Sequence, residues 1–124
     1  MLLRDDTRSK VTAGTMRTAT ALTILFLAAI LEAGGDALVR TGLHTPASSA
    51  RLLFWAAGAV VLFAYGYVVN APPWDFGKLL GIYVVFFFVV AQLISIAVFH
   101  QTPSRAVLVG GLFVIAGGVI MSAW

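Results

Sequence analysis

The chain has 124 residues, 60% of them hydrophobic and 10% charged, and a mean hydropathy of +0.99, where soluble domains carry roughly 45–50% apolar residues. That balance calls for a membrane and leaves no soluble module for ATP hydrolysis or nucleic-acid reading, so any transport must draw on an ion gradient. The formal charge of +3 sits at the ends of apolar runs rather than on one face, as anchors and topology signals do, and no nucleic-acid partner is expected.

Residues 1–18 mix charges with Thr, Ser and Gly without apolar periodicity, and are expected to form a flexible tail ahead of a transmembrane domain at 19–124. Arg4, Arg8, Lys10 and Arg17 before an apolar run imitate a secretory signal. The run continues through Gly34 and Gly35 to Val39, beyond the roughly 7–15-residue core of such a signal, so cleavage is not expected. Met16 is a second candidate start.

A spanning helix needs about 20 predominantly apolar residues. Four such stretches occur: Ala19–Val39, Leu52–Val69, Leu79–Phe99 and Ala106–Trp124. The first connection, Arg40 to Arg51, holds Gly42, Pro46, Ser48 and Ser49 and has loop composition. The second, Asn70 to Lys78, contains the pair Pro72-Pro73, which cannot continue a helix, with Trp74 and Phe76 suited to the headgroup boundary. His100 to Arg105 is the shortest. Each run is apolar on every face instead of alternating over about ten residues as barrel strands do, and short connections make sequential helices antiparallel neighbours. The expected fold is an all-α membrane protein, four transmembrane helices in a compact bundle. In lipid, internal backbone hydrogen bonding overrides the strand preference of a run such as Val84–Val90.

Basic residues on the N-terminal side (Arg4, Arg8, Lys10, Arg17, Lys78) are nearly matched by those opposite (Arg40, Arg51, Arg105), and a start at Met16 would remove three of the former. Orientation is then almost undetermined by the positive-inside rule. Such a chain can insert both ways, which permits an antiparallel homodimer.

Glu32 is the only glutamate, and it lies within the first span. An acid deep in a bilayer costs at least a few kcal/mol, which makes it a functional-site candidate by default. Glu32, Asp36 and Arg40 stand at successive i, i+4 positions and share a helix face, with the small residues Ala28, Ala29 and Gly35 along or beside it. A cation entering beside Glu32 stabilises its ionised form and expels the proton, so proton and cation compete for one site, and competition within alternating access gives antiport. Two readings of Asp36 stand side by side: a second proton- or substrate-binding acid, or one half of a structural pair with Arg40 at the helix end. Gln92, polar within the third span, either lines a cavity or pairs between helices. In the last span Gly110 recurs at Gly117 and Gly111 at Gly118, a glycine stripe suited to close crossing in lipid, expected at a subunit interface although packing within the chain would use it equally well. There is no cysteine, and His44 and His100 fall in different connections without metal-ligand spacing, so no cofactor or metal is expected.

The segment from Ala29 to Arg40, a single embedded Glu followed by small residues and a terminal base, resembles the first helix of the small multidrug resistance family of four-helix proton-coupled exporters. Phe99 to Arg105, followed by Gly110 and Gly117, looks like its third turn and dimerising fourth helix. The likeness spans about residues 20–124, and extends more loosely to a related family of small inner-membrane proteins. It implies that Glu32 binds protons and a small cationic substrate alternately in a homodimer of the bacterial inner membrane. Tyr83 falls where that family carries a substrate-stacking Trp. Leu80 stands in place of a Tyr, Val85 and Phe87 replace small residues in the third helix, and Asp36 adds a second acid. The expectation is therefore proton-coupled efflux. A non-transporting membrane subunit that binds a lipid carrier or a partner protein is the rival. Catalysis is not expected, since no nucleophile, base and orienting group converge.

Overall fold

The computed structural model describes residues 17–123, and the tail expected at residues 1–18 lies almost wholly outside them, as does Trp124. Four helices follow one another: α1 (Thr18–Leu43), α2 (Ser48–Val69), α3 (Phe76–Ala97) and α4 (Arg105–Ala123). Each is long and apolar enough to cross a membrane, and no strand occurs among the described residues. The protein is an all-α membrane protein, and a lipid bilayer is its surroundings.

The first connection is shorter than its composition predicts. α1 runs on past Arg40 to Leu43 and α2 begins at Ser48, leaving residues 44–47 as the link. Two effects extend α1. Thr41 within the helix and Thr45 just beyond it donate their hydroxyls to the carbonyls of Ala37 and Thr41, each at 2.7 Å, so the last turn is tied back along its own axis. Gly42 is buried where a side chain would run into Trp55. At the far end of α3, His100 takes a left-handed backbone (φ 55°), a conformation in which His is enriched among non-glycine residues. The chain thereby turns back, and the Gln101 N–H donates to the Ser95 carbonyl at 3.0 Å.

α1 organises the bundle. It packs against α2 and α3, while α4 leans on α3 and makes no comparable contact elsewhere. Without a hydrophobic driving force in lipid, helices hold together through close packing, and the small residues set where that occurs. Gly35 and Gly58 bring α1 and α2 nearly into backbone contact. A Cβ on Gly58 would stand 2.7 Å from Val39 Cγ2 and 3.2 Å from the Gly35 carbonyl oxygen. Gly58→Ala is therefore expected to destabilise the bundle by about 1–3 kcal/mol, as overpacking does, read as an earlier thermal unfolding midpoint in detergent. Gly34→Ala, on the same helix as Gly35 but with nothing within 4 Å, is the control and should leave the midpoint no lower.

Ala28, Ala29 and Ala33 do for α3 what the glycines do for α2. They join Leu25, Val69, Leu79, Ile82, Tyr83 and Val90 in the buried cluster. Most of that cluster lies toward the surface where α1 begins, α2 ends and α3 begins, with Trp74 of the second connection packed on it. The opposite end of the α1–α3 contact is open.

Candidate functional site

Glu32 lies 14 residues into α1, about 21 Å from one end and about 16 Å from the other at 1.5 Å per residue. That is the middle of the span. Its side chain is half-buried between α1 and α3, and the Tyr83 hydroxyl donates a hydrogen bond to its Oε2 at 2.5 Å. The alanines of α1 make the contact feasible, because only a thin helix surface lets a tyrosine on α3 reach across. The hydroxyl has a weaker second acceptor, the Ala28 carbonyl at 3.5 Å, so Tyr83 keeps a partner when Glu32 is otherwise engaged.

Tyr83 is only 3% exposed. Its ring is flanked by Tyr65 at 5.6 Å and Phe87 at 6.2 Å between centroids, tilted by 34° and 35°. Neighbouring aromatics thus occupy its surroundings, and it is the hydroxyl that meets the carboxylate.

Next to this pair, toward the open end of α1 and α3, lies a cleft of about 270 Å³. Asp36, Ala37 and Arg40 form one wall, Ala91, Ile94 and Ser95 another, Phe99 and Gln101 the mouth, and Ala33 and Phe87 the inner end. Ala33 adjoins Glu32 in sequence and Phe87 lies against Tyr83, so the cleft stops one layer of side chains short of the Glu32–Tyr83 pair. Asp36 and Arg40 do not form the structural pair that their spacing allows. Asp36 is exposed, while the Arg40 guanidinium lies over the Phe99 ring at 5.2 Å from its centroid. A second cleft, lined by Leu38, Ala50, Leu53, Phe54 and Ala57, offers only apolar side chains and nothing to orient a polar ligand.

The remaining sequence candidates are placed elsewhere. Gln92 does not line the cleft; it continues the α3 stripe Gly81, Val85, Phe88, whose members meet α4. The glycine stripe is divided. Gly111 and Gly118 are buried against Phe88 and Val85 of α3, the packing within the chain that the stripe equally allowed, and a side chain at either would displace the chain's own third helix. Gly110 and Gly117 have nothing within 4 Å and stay on the open side of α4. Sequence reasoning missed Tyr65, Ser95 and Gln101 as neighbours of the site. The stripe Tyr83, Phe87, Ala91, Ile94, spaced by four, four and three, was the available signal for the face α3 turns to α1. Among the described residues no group of His, Cys, Asp and Glu is arranged to hold a metal.

No protein-family model matches the chain, and no solved structure matches it. Two relatives do. A UPF0060 membrane protein of Mycobacterium marinum (strain ATCC BAA-535 / M) is 37% identical over 103 residues, covering 81% of this chain and 90% of its own length. Another, from Nocardia farcinica (strain IFM 10152), is 37% identical over 105 residues, covering 82% and 91%. With nearly the full length of both relatives matched, and all four spans present, the chain belongs to the UPF0060 membrane protein family.

Proposed function

We propose that this protein is a proton-coupled exporter of small organic cations, a transporter rather than an enzyme, working as a homodimer in the bacterial plasma membrane in the manner of the small multidrug resistance family. The carrying observation is Glu32: an acid at mid-span, half-buried against α3, hydrogen-bonded by a hydroxyl and not by a base. A carboxylate locked to a permanent cation would have no capacity for another. One held by Tyr83 keeps its charge available, and the Ala28 carbonyl gives the hydroxyl an alternative acceptor.

The cycle follows from charge conservation at one group. With a proton on Glu32 the site is neutral and binds no cation. Loss of the proton toward one side leaves an anion in a low-dielectric region, which a positively charged guest stabilises by Coulomb attraction and by nearby ring faces, the latter worth about 0.5–2 kcal/mol. Return of a proton expels the guest. The cleft at the Leu43 and Ala97 ends of α1 and α3, set against the packed cluster at the other end, supports a bundle open toward one surface.

The test uses full-length protein in proteoliposomes: tetraphenylphosphonium uptake should require an imposed pH gradient and stop when the gradient is collapsed. Gradient-independent movement would defeat proton coupling, and absence of movement together with a stoichiometric co-purifying protein would favour the non-transporting subunit.

Tyr83→Phe separates the hydroxyl from the ring. The cation-loaded state holds an ionised Glu32 and the proton-loaded state does not, so removing a hydrogen bond to the charged form, worth about 1.5–3 kcal/mol, tips the competition toward the proton. Apparent cation affinity at neutral pH is expected to fall roughly tenfold or more, with the unfolding midpoint little changed. Equilibrium binding of tetraphenylphosphonium measures this, and unchanged affinity would reduce Tyr83 to a packing residue.

A further inference from the structure

Asp36 and Arg40 are one helical turn apart on the same wall of the cleft, in the order that favours an acid–base pair along a helix, yet they do not pair. Instead the Arg40 guanidinium carbon lies over the Phe99 ring, 5.2 Å from its centroid, and attraction to a ring face uses none of the five N–H donors. Asp36 is left with an uncompensated carboxylate on the same wall. The cleft therefore presents one free negative and one free positive group, separated by about 6 Å along the helix, with Phe87 at its inner end.

We propose that this cleft binds a small soluble zwitterion, its ammonium group inward against Asp36 and its carboxylate or phosphate outward against Arg40. A lone cation gains from Asp36 and loses to Arg40, a lone anion does the reverse, and only a molecule with both charges is favoured at both ends. The volume of about 270 Å³ lies just under the usual small-molecule range of roughly 300–1,000 Å³, so the ligand is small. The charge order selects a soluble molecule over a lipid headgroup. Asp36 is deeper than Arg40, so the ammonium must lead, whereas a phospholipid has its tails running inward from the phosphate and would have to fold its headgroup back. The site does not depend on Glu32 acting as an exchanger.

Three matched probes test it on full-length Glu32→Gln protein in maltoside detergent, which removes the cation site proposed at Glu32: γ-trimethylammoniobutyrate, butyltrimethylammonium and butyrate, by equilibrium dialysis at neutral pH. The zwitterion should bind at least about tenfold more tightly than either half, a factor that each additional 1.4 kcal/mol of interaction supplies. Asp36→Asn should weaken the zwitterion and the cation but not butyrate. Arg40→Gln should weaken the zwitterion and butyrate but not the cation, and Arg40→Lys should retain part of the binding, which guards against misfolding as the cause. Glu32→Gln should leave zwitterion binding intact even where it ends cation transport. Equal binding of butyltrimethylammonium and the zwitterion, or indifference to Arg40→Gln, overturns the proposal. So does loss of the probe's site in discs of phosphatidylethanolamine but not of phosphatidylglycerol, which would hand the cleft to a lipid headgroup.

Discussion

Glu32→Gln is expected to reduce pH-gradient-driven tetraphenylphosphonium uptake to the level of empty liposomes while leaving the bundle folded. The amide matches the acid in size, and its oxygen can still accept from Tyr83, whose hydroxyl reaches Oε2 at 2.5 Å. Packing around Ala28, Ala29 and Ala33 is untouched. What disappears is charge. Removing one partner of a buried charge pair costs about 2–5 kcal/mol, or roughly 30-fold and upward in affinity, and an amide has no proton to exchange, so coupling is lost altogether rather than weakened. Glu32→Asp refines the result: the carboxylate stays but withdraws by one methylene from Tyr83, and an intermediate rate is expected. The measurements are initial uptake rates under an imposed gradient, with unfolding midpoints to show that both variants are folded. A wild-type rate in Glu32→Gln would move the exchanging group elsewhere, with Asp36 as the other acid on α1.

How far the sequence reveals this arrangement depends on which forces act. Span number and helical character are legible because hydrocarbon leaves a continuous apolar run one outcome, a helix with its backbone bonds closed. Glu32 is legible for the same reason, since an acid in such a run is costly to retain. Connections are less so. Gly42, Pro46 and two serines have the composition of a loop, yet α1 continues to Leu43 because threonine hydroxyls fold back on their own helix and Trp55 needs the space over Gly42. Partner choice was hidden at Arg40 too. Its i, i+4 relation to Asp36 is visible in the sequence, but Phe99 is 59 positions away and arrives only once α3 lies along α1. Tyr83 drew notice through a family resemblance as a stacking surface, whereas its hydroxyl meets Glu32 only because three alanines thin the facing helix.

The glycines of α4 give the second large effect, and they divide by face. Gly111→Leu and Gly118→Leu are expected to detach α4. Even a Cβ at Gly118 would fall on Val85 Cγ2, and at Gly111 on the Phe88 ring. Val85 is β-branched and has little rotamer freedom in a helix, so it cannot swing aside as a flexible side chain would. Overpacking of this kind costs about 1–3 kcal/mol for a modest insertion, and α4 has α3 as its main support. Alanine at either position should therefore lower the unfolding midpoint, and leucine should leave α4 open to protease. Gly110 and Gly117 have clear space for a Cβ, and replacing a helical glycine by alanine is otherwise favourable by roughly 0.5–1 kcal/mol. Within one chain, Gly110→Ala and Gly117→Ala should be neutral or mildly stabilising. If the second copy of the proposed homodimer packs on this open side, Gly110→Leu and Gly117→Leu should halve the mass measured by light scattering in detergent without lowering the monomer's unfolding midpoint. A dimer that survives both leucine substitutions would have to meet through another face of the bundle, and the last helix would then serve only to pack on the third.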